Sequence, residues 1–488
     1  MRNSKLSELA KRKGKLLSPW VDHLGDKLAL SSWSLERLPE YIWMALILDG
    51  KGRTDGIDCC IRIIKKIHVC DPNLDSAKLS YFLMKNQNEQ DQIFDIIVTE
   101  IAPEVLAPLT AVIDYDYSPS FYKHFFIPGF DLEKRLETLN VVTRKYNIPD
   151  SYDTTDLRFL AIIPQVLAGH LHFVNDSPMI EALSNYSNKS HEDEIMKAYR
   201  PCIRSLEGTI DLTNKQISEW VGHYWSETSK ATDCKLFSIK HDRNETNMDY
   251  YQFIEITKEA INYLNVQNKH LTATDDAFCV LTGSLVYAFK TFAEVIEHDL
   301  SNTLIGRQAV RIIIEVYIMM KYLVLQESQK PNIWSEYQAY GIGKYKLILM
   351  KLREGLGGQT HHVSEKILDL LVNEPQMEEF TDVDLRYFDD IKIREKAIGV
   401  GEKDLYDVAY DYDSSYAHGL WGAVRESCML ACDNVFHHFH PVADAMLSQN
   451  SLDVTTDCYN YLIKLVSLVN ERYAFPEWYM SFLGEDHE

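Results

Sequence analysis

The chain has 488 residues, 46% hydrophobic and 25% charged, with a formal net charge of −22. That is the composition of a globular protein long enough for two cores, and it excludes global disorder. Proteins that coat nucleic acid gain affinity by neutralising phosphates with Lys and Arg, so this acidic excess excludes a generic nucleic-acid coat and leaves room only for a local basic site.

The nine cysteines, Cys59, Cys60, Cys70, Cys202, Cys234, Cys279, Cys428, Cys432 and Cys458, form no CxxC pair. Neither a disulfide framework nor a zinc knuckle is indicated, and a cytoplasmic, reducing location is expected. Residues 1–30 read as a basic N-terminal segment: Met1–Lys15 holds six Lys or Arg against one Glu, with no apolar segment of signal-peptide type after it. Ala277–Phe289 is too short for a membrane span, and Leu304–Leu325 is interrupted by Arg307, Arg311, Glu315 and Lys321. A soluble protein with no membrane partner is expected.

Taken in order, the chain shows helical spacing and little period-two alternation. Ser34 is placed to cap a first strong helix whose stripe is Tyr41, Ile42, Met44, Ala45, Leu46 and Ile47, with Asp49-Gly50 as its stop. Ile57–Ile67, Gln90–Leu109, Asp131–Lys145, Thr155–Phe173 and Leu212–Trp225 follow, giving an N-terminal helical domain over 31–225. His170 and His172, two apart, point to different sides of a helix and read as structural. Residues 226–248 are a polar linker with room for a short strand at Lys235–Lys240, and 249–488 form a second helical domain.

In that second domain, Leu304–Gln326 carries Arg307, Arg311 and Glu315 at i, i+4 and i+8, one polar stripe on an otherwise apolar helix. Buried charges must pair or face a cavity, so the stripe is either an Arg311–Glu315 brace between helices or part of a site. Arg353–Thr360 is glycine-rich, but it lacks the preceding strand and the Gly-Lys-Ser/Thr ending of a phosphate loop and reads as a plain loop. Read as one helix, Lys403–Arg425 puts Asp407, Asp411, Ser414 or Ser415, His418 and Arg425 near one face, and Tyr406, Tyr410, Ala417 and Trp421 on a packable one. A long helix is expected over Leu420–Phe439, and on it Asp433, His437 and His440 have the spacing of metal ligands on one face, with Asp411 or His418 as further donors. The competing reading makes them solvated histidines at a helix C-terminus, so that no metal or cofactor is required.

The Arg307-xxx-Arg311-xxx-Glu315 stripe, Trp334-Ser335-Glu336-Tyr337, and the segment Leu405–Gly419 together resemble a bacterial family of unknown function (DUF5677-like), itself similar to the HEPN superfamily, over roughly residues 250–440. The resemblance implies an α-helical nucleotide-binding or ribonuclease domain that commonly dimerises and serves in bacterial toxins or antiphage defence. Active members carry an Arg followed, after four to six residues, by His. Ahead of His418 those positions hold Asp411, Tyr412 and Asp413, so a phosphate-binding Arg has to come from another helix or another subunit.

The expectation is therefore an all-α, multi-helix protein of two domains, the second HEPN-like. Its expected role is a defence or toxin-type effector cleaving RNA without metal, His418 moving the proton, Arg307 and Arg311 holding the phosphate, and Glu315 and Asp411 completing the site. Its partners are then RNA at that local site and a second copy or another protein. A non-catalytic interaction module or regulatory subunit and a metal-dependent hydrolase are the alternatives. Arg311 and Glu315 are expected to lie beside His418.

Overall fold

Leu38–Lys51 is buried along nearly its whole length, from Leu38 to Leu48. A helix that is apolar all round has to be covered on every side, and Arg53–Cys70, Leu132–Tyr146, Tyr152–Leu167 and Glu219–Lys230 pack around it. The approach to Arg53–Cys70 is close enough to require a glycine, since a Cβ on Gly56 would stand 2.8 Å from the Cα of Leu48. The one buried carboxylate in this helix, Glu40, accepts hydrogen bonds from the backbone N–H and hydroxyl of Ser80 and from the Ser218 hydroxyl, which removes the penalty of burying it bare. Ser32 rather than Ser34 provides the entry cap, its hydroxyl accepting from Leu35 N, while Ser34 donates to the Asn147 carbonyl. The helix runs to Lys51, and Gly52 ends it in a left-handed conformation, φ 80°.

This computed structural model describes residues 5–25, 31–171, 178–210, 218–238, 248–356, 361–374, 376–449 and 451–485. The chain is all-α apart from a few short strands: an antiparallel hairpin, Ala10–Arg12 with Lys15–Leu17, in the basic N-terminal segment, then Leu236–Phe237, Met429–Cys432 and Pro441–Ala443. It divides into two units, residues 1–237 with 431–440 and residues 238–430 with 441–488. The division thus falls inside the polar passage 226–248, whose first residues complete the Glu219–Lys230 helix. Residues 431–440, which the sequence assigns to the second domain, belong to the first because Val435 and Phe436 are buried in its core. His172, Gly357–Thr360, residues 212–217 of the helix expected from Leu212, and 239–247 of the linker lie outside the described residues.

In the second unit, Asp276–Glu297 is the central helix, packed against Leu304–Gln326 and Thr455–Asn470. It is long and apolar enough by composition to cross a membrane, and here Phe278, Leu281, Leu285, Ala288 and Phe292 are buried in the core of the unit. Gly306 lets the next helix start hard against Leu300 and Ser301, since a Cβ there would run into the Leu300 carbonyl oxygen. That close start sets the height at which Arg307 enters the helix bundle.

Two expected helices are not continuous. Lys403–Arg425 is a single turn, Lys403–Leu405, then a π-helical stretch, Tyr406–Tyr410, then Asp411–Ala417, a turn at Gly419 with φ 57°, and a separate helix Trp421–Ser427. Leu420–Phe439 ends as a helix at Ser427 and continues as the strand Met429–Cys432 and a 3-10 turn at Val435–His437. Asp433, His437 and His440 therefore do not share a helical face.

Candidate functional site

The polar stripe of Leu304–Gln326 closes onto the segment 389–416, which runs past it in the opposite direction. Arg311 Nη2 donates to the Tyr410 hydroxyl at 2.9 Å, Tyr410 in turn donates to Glu315 Oε2 at 2.9 Å, and Arg311 also lies 3.2 Å from that carboxylate. The guanidinium carbon stands 5.0 Å from the centre of the Tyr410 ring. Further along, Tyr317 and Lys321 both donate to Glu402, at 2.8 and 2.6 Å. Burial acts to raise Glu402, but these two hydrogen bonds and Lys464 hold it below the usual carboxylate range. Beyond them Tyr322 and Lys330 share Asp389, and Lys396 spends its ammonium on the carbonyls of Phe388 and Ile391. From Arg311 to Lys330 the stripe is one line of a seam in which donors are set against acceptors.

At the other end of the seam, Arg307 is buried, its Nη1 3.9 Å from Asp413 Oδ1 and its guanidinium set over the rings of Tyr412 and Tyr416 at 5.4 and 5.6 Å. Its Nε and Nη2 make no hydrogen bond among the described residues. Asp413 is pushed up to about 7, chiefly by burial, with Asp457 and Glu426 adding to the effect and Arg307 opposing it. Asp457 is raised for the same first reason. One buried acid and one buried guanidinium thus share a dry place at the end of the seam, and Asp457, itself exposed, acts on them electrostatically.

The residues expected to carry chemistry divide between this seam and the surface. Arg307, Arg311 and Glu315 are in the seam, whereas Asp411 and His418 are exposed on the Asp411–Ala417 helix and at its cap. His418 makes no side-chain hydrogen bond or ion pair among the described residues; its backbone N–H closes the helix onto Ser414. The partner of Arg311 and Glu315 is Tyr410, eight positions earlier, which corrects the expected contact with His418. The cause is which face turns inward: Tyr410, Asp413 and Tyr416 are buried, so the packable tyrosine face meets Leu304–Gln326 and the carboxylate and imidazole face is left outside. Asp407 pairs with Arg394 and Lys403, and Arg425 hydrogen-bonds the Met429 carbonyl from the separate helix.

A second constellation lies in the first unit. The strand residues Leu236 and Phe237 pair with Cys432 and Ala431, and Asp433 N donates to the Lys235 carbonyl, which brings Cys234 alongside the returning segment. Asn434 fixes the turn, accepting from Phe436 N and donating to Asp233 O and Thr232 Oγ1. His438 and Phe439 then take left-handed conformations, φ 54° and 52°, and His440 N and O bond back to His437 and Cys432.

The outcome is four ligand atoms, from Cys234, Cys432, His437 and His440, within 4.8 Å of one another. Cys234 Sγ lies 3.2 Å from His437 Nδ1 and 3.3 Å from His440 Nε2, and Cys432 Sγ lies 3.7 Å from His437 Nδ1. Asp433, the expected third ligand, instead pairs with Arg144 at 2.9 Å. Desolvation first, and then the neighbouring Cys432, raise the Cys234 thiol. The spacing Cys432-x4-His437-x2-His440 was the readable signal for this group. Its fourth member, Cys234, stands too far away in sequence for any spacing rule.

Residues 278–435 match the family model described as a family of unknown function (DUF5677), so this region of the chain is similar to that family. The match takes in the whole Arg307–Glu315 stripe, Tyr410, Asp413, His418 and Cys432, and stops short of His437 and His440. No curated protein and no solved structure matches the chain.

Proposed function

We propose that this protein is a non-catalytic helical interaction protein, working as a regulatory component of a bacterial defence complex, and that the polar stripe of its second unit is a brace rather than an active site. The observation that carries the reading is the Arg311–Tyr410–Glu315 relay, in which one of the two arginines wanted for phosphate binding is engaged within the seam while His418 stands exposed at a helix end. A catalytic imidazole has to come within hydrogen-bond reach of the group it serves, with the anion-binding donors turned to the same point.

Two further facts support an interaction role. The net charge of −22 opposes RNA and suits protein partners carrying basic surface. Leu420 and Trp421, next to His418, are 56% and 64% exposed, and a large aromatic held open to solvent is the residue type that anchors protein interfaces. Incubating the purified full chain with structured and single-stranded RNA tests the reading. No cleavage above background is expected from the wild type or from His418→Ala. Cleavage by the wild type that His418→Ala abolishes would overturn it and restore the ribonuclease.

A further inference from the structure

We infer that Cys234, Cys432, His437 and His440 bind one zinc ion, and that this ion clasps the returning segment 431–440 to the first unit at the points where the chain passes between the units. With Zn–S near 2.3 Å and Zn–N near 2.0–2.1 Å, tetrahedral geometry separates a sulfur and a nitrogen ligand by about 3.6 Å. The three sulfur–nitrogen separations given above, 3.2, 3.3 and 3.7 Å, bracket that value. Two thiolates and two imidazoles are the donor set of a closed zinc site, and they disfavour the hard cations, which take oxygen ligands.

The surroundings prepare the imidazole for a metal. His437 Nε2 faces the carbonyl oxygens of Thr232 and Ser229 at 3.0 and 3.2 Å. Carbonyls only accept, so Nε2 carries the proton and Nδ1 presents its lone pair to the two sulfurs. This is the outer contact that orients a metal-bound histidine. Two consecutive left-handed residues, neither of them glycine, are a costly backbone. Here they turn His440 back toward Cys234, and a shared ligand repays that strain.

Four protein ligands fill a tetrahedron and leave no position for a water, so the site is structural and does not hydrolyse substrate. Its place in the chain says what it holds. The chain passes from one unit to the other after Phe237, after Leu430 and after His440, and each passage begins within three residues of a ligand. Joining Cys234 to Cys432 closes a long loop of chain that contains residues 238–430, as a disulfide would, but with a link that survives a reducing compartment.

The test uses the full chain purified without chelator. Elemental analysis is expected to find one zinc per chain, retained in Cys428→Ser and lost in the double variant Cys234→Ser/Cys432→Ser. Should that variant fail to fold, the wild type itself decides. Cobalt taken up by the zinc-free protein is expected to give thiolate charge-transfer and tetrahedral ligand-field absorption, and Cys234, exposed though it is, is expected to resist alkylation until the metal is removed. Protein without zinc that takes up neither zinc nor cobalt, zinc that stays on the double variant, or a Cys234 alkylated equally fast with and without metal overturns the proposal.

Discussion

The seam of the second unit and the cysteine–histidine cluster of the first both gather polar side chains in a helical protein, and they do so in opposite ways. In the seam, donors alternate with acceptors: Arg311 gives to Tyr410, Tyr410 to Glu315, and Lys321 and Tyr317 to Glu402. In the cluster, two sulfurs and two ring nitrogens converge with no strong donor among them once His437 has turned its N–H outward to the carbonyls. Groups that answer one another need no third party. Groups that all present lone pairs to one point are complete only around a cation. The two places therefore respond differently to losing a member.

The largest expected effect falls on the cluster. At free zinc about a thousandfold above its dissociation constant, the ion contributes about 4 kcal/mol to the unit that binds it. Removing zinc with a chelator, or making Cys432→Ser, is expected to cost the first unit stability of that order in urea titrations and to expose amides of 431–440 to hydrogen exchange. In the seam, Arg307→Ala leaves Asp413 buried without its cation, at a cost of about 3 kcal/mol. Adding Asp413→Leu to it is expected to recover most of the loss, because apolar groups replace a buried pair well. A double variant no more stable than Arg307→Ala would mean that Arg307 is held by something other than that acid.

Much of the fold was legible because helical periodicity is a local property. The apolar stripe of Leu38–Lys51, the body of Asp276–Glu297 and the Arg307–Arg311–Glu315 spacing are all fixed within a few turns of chain. What the sequence hid depends on breaks and on distant partners. The π-helical stretch at Tyr406–Tyr410 and the stop at Gly419 divide a segment that a uniform helical wheel treats as one. Treating 420–439 as a helix turned Cys432 and His437 to different sides, whereas a strand and a tight turn bring them together. Tyr410 looked like packing material, and its hydroxyl became the hinge of the relay only when Arg311 and Glu315 were placed on either side of it.

A pH titration sharpens the contrast, since the acid at the seam's dry end is poorly compensated. Asp413 is raised from an ordinary value of 3.8 to about 7, chiefly by burial. Between those values the native state keeps a proton that the unfolded chain has released. Stability contributed by this group is therefore full below the lower value and is lost as pH rises toward the upper one, with a slope of up to about 1.4 kcal/mol per pH unit. Carboxylates held low, such as Glu402 and Asp71, act with the opposite sign at more acid pH. The informative quantity is thus the difference between wild type and Asp413→Asn. That difference is expected to favour the variant increasingly from pH 4 to 7, and a flat difference would place the raised acid elsewhere, at Asp457 first.

The smallest effect is expected where the sequence pointed most strongly to chemistry. His418 caps the Asp411–Ala417 helix through its backbone, and its side chain is exposed and free of hydrogen bonds among the described residues. An exposed side chain away from caps, cores and ion networks changes stability by no more than about 0.5 kcal/mol on truncation. His418→Ala is therefore expected to leave the urea midpoint of the isolated protein unchanged. Any consequence it has must then appear in an encounter with a partner, where Leu420 and Trp421 beside it are also exposed. Measuring both quantities on one preparation separates the roles: an unchanged midpoint with weakened association makes His418 a surface residue of an interface, and a lowered midpoint assigns it to the brace from which the geometry separates it.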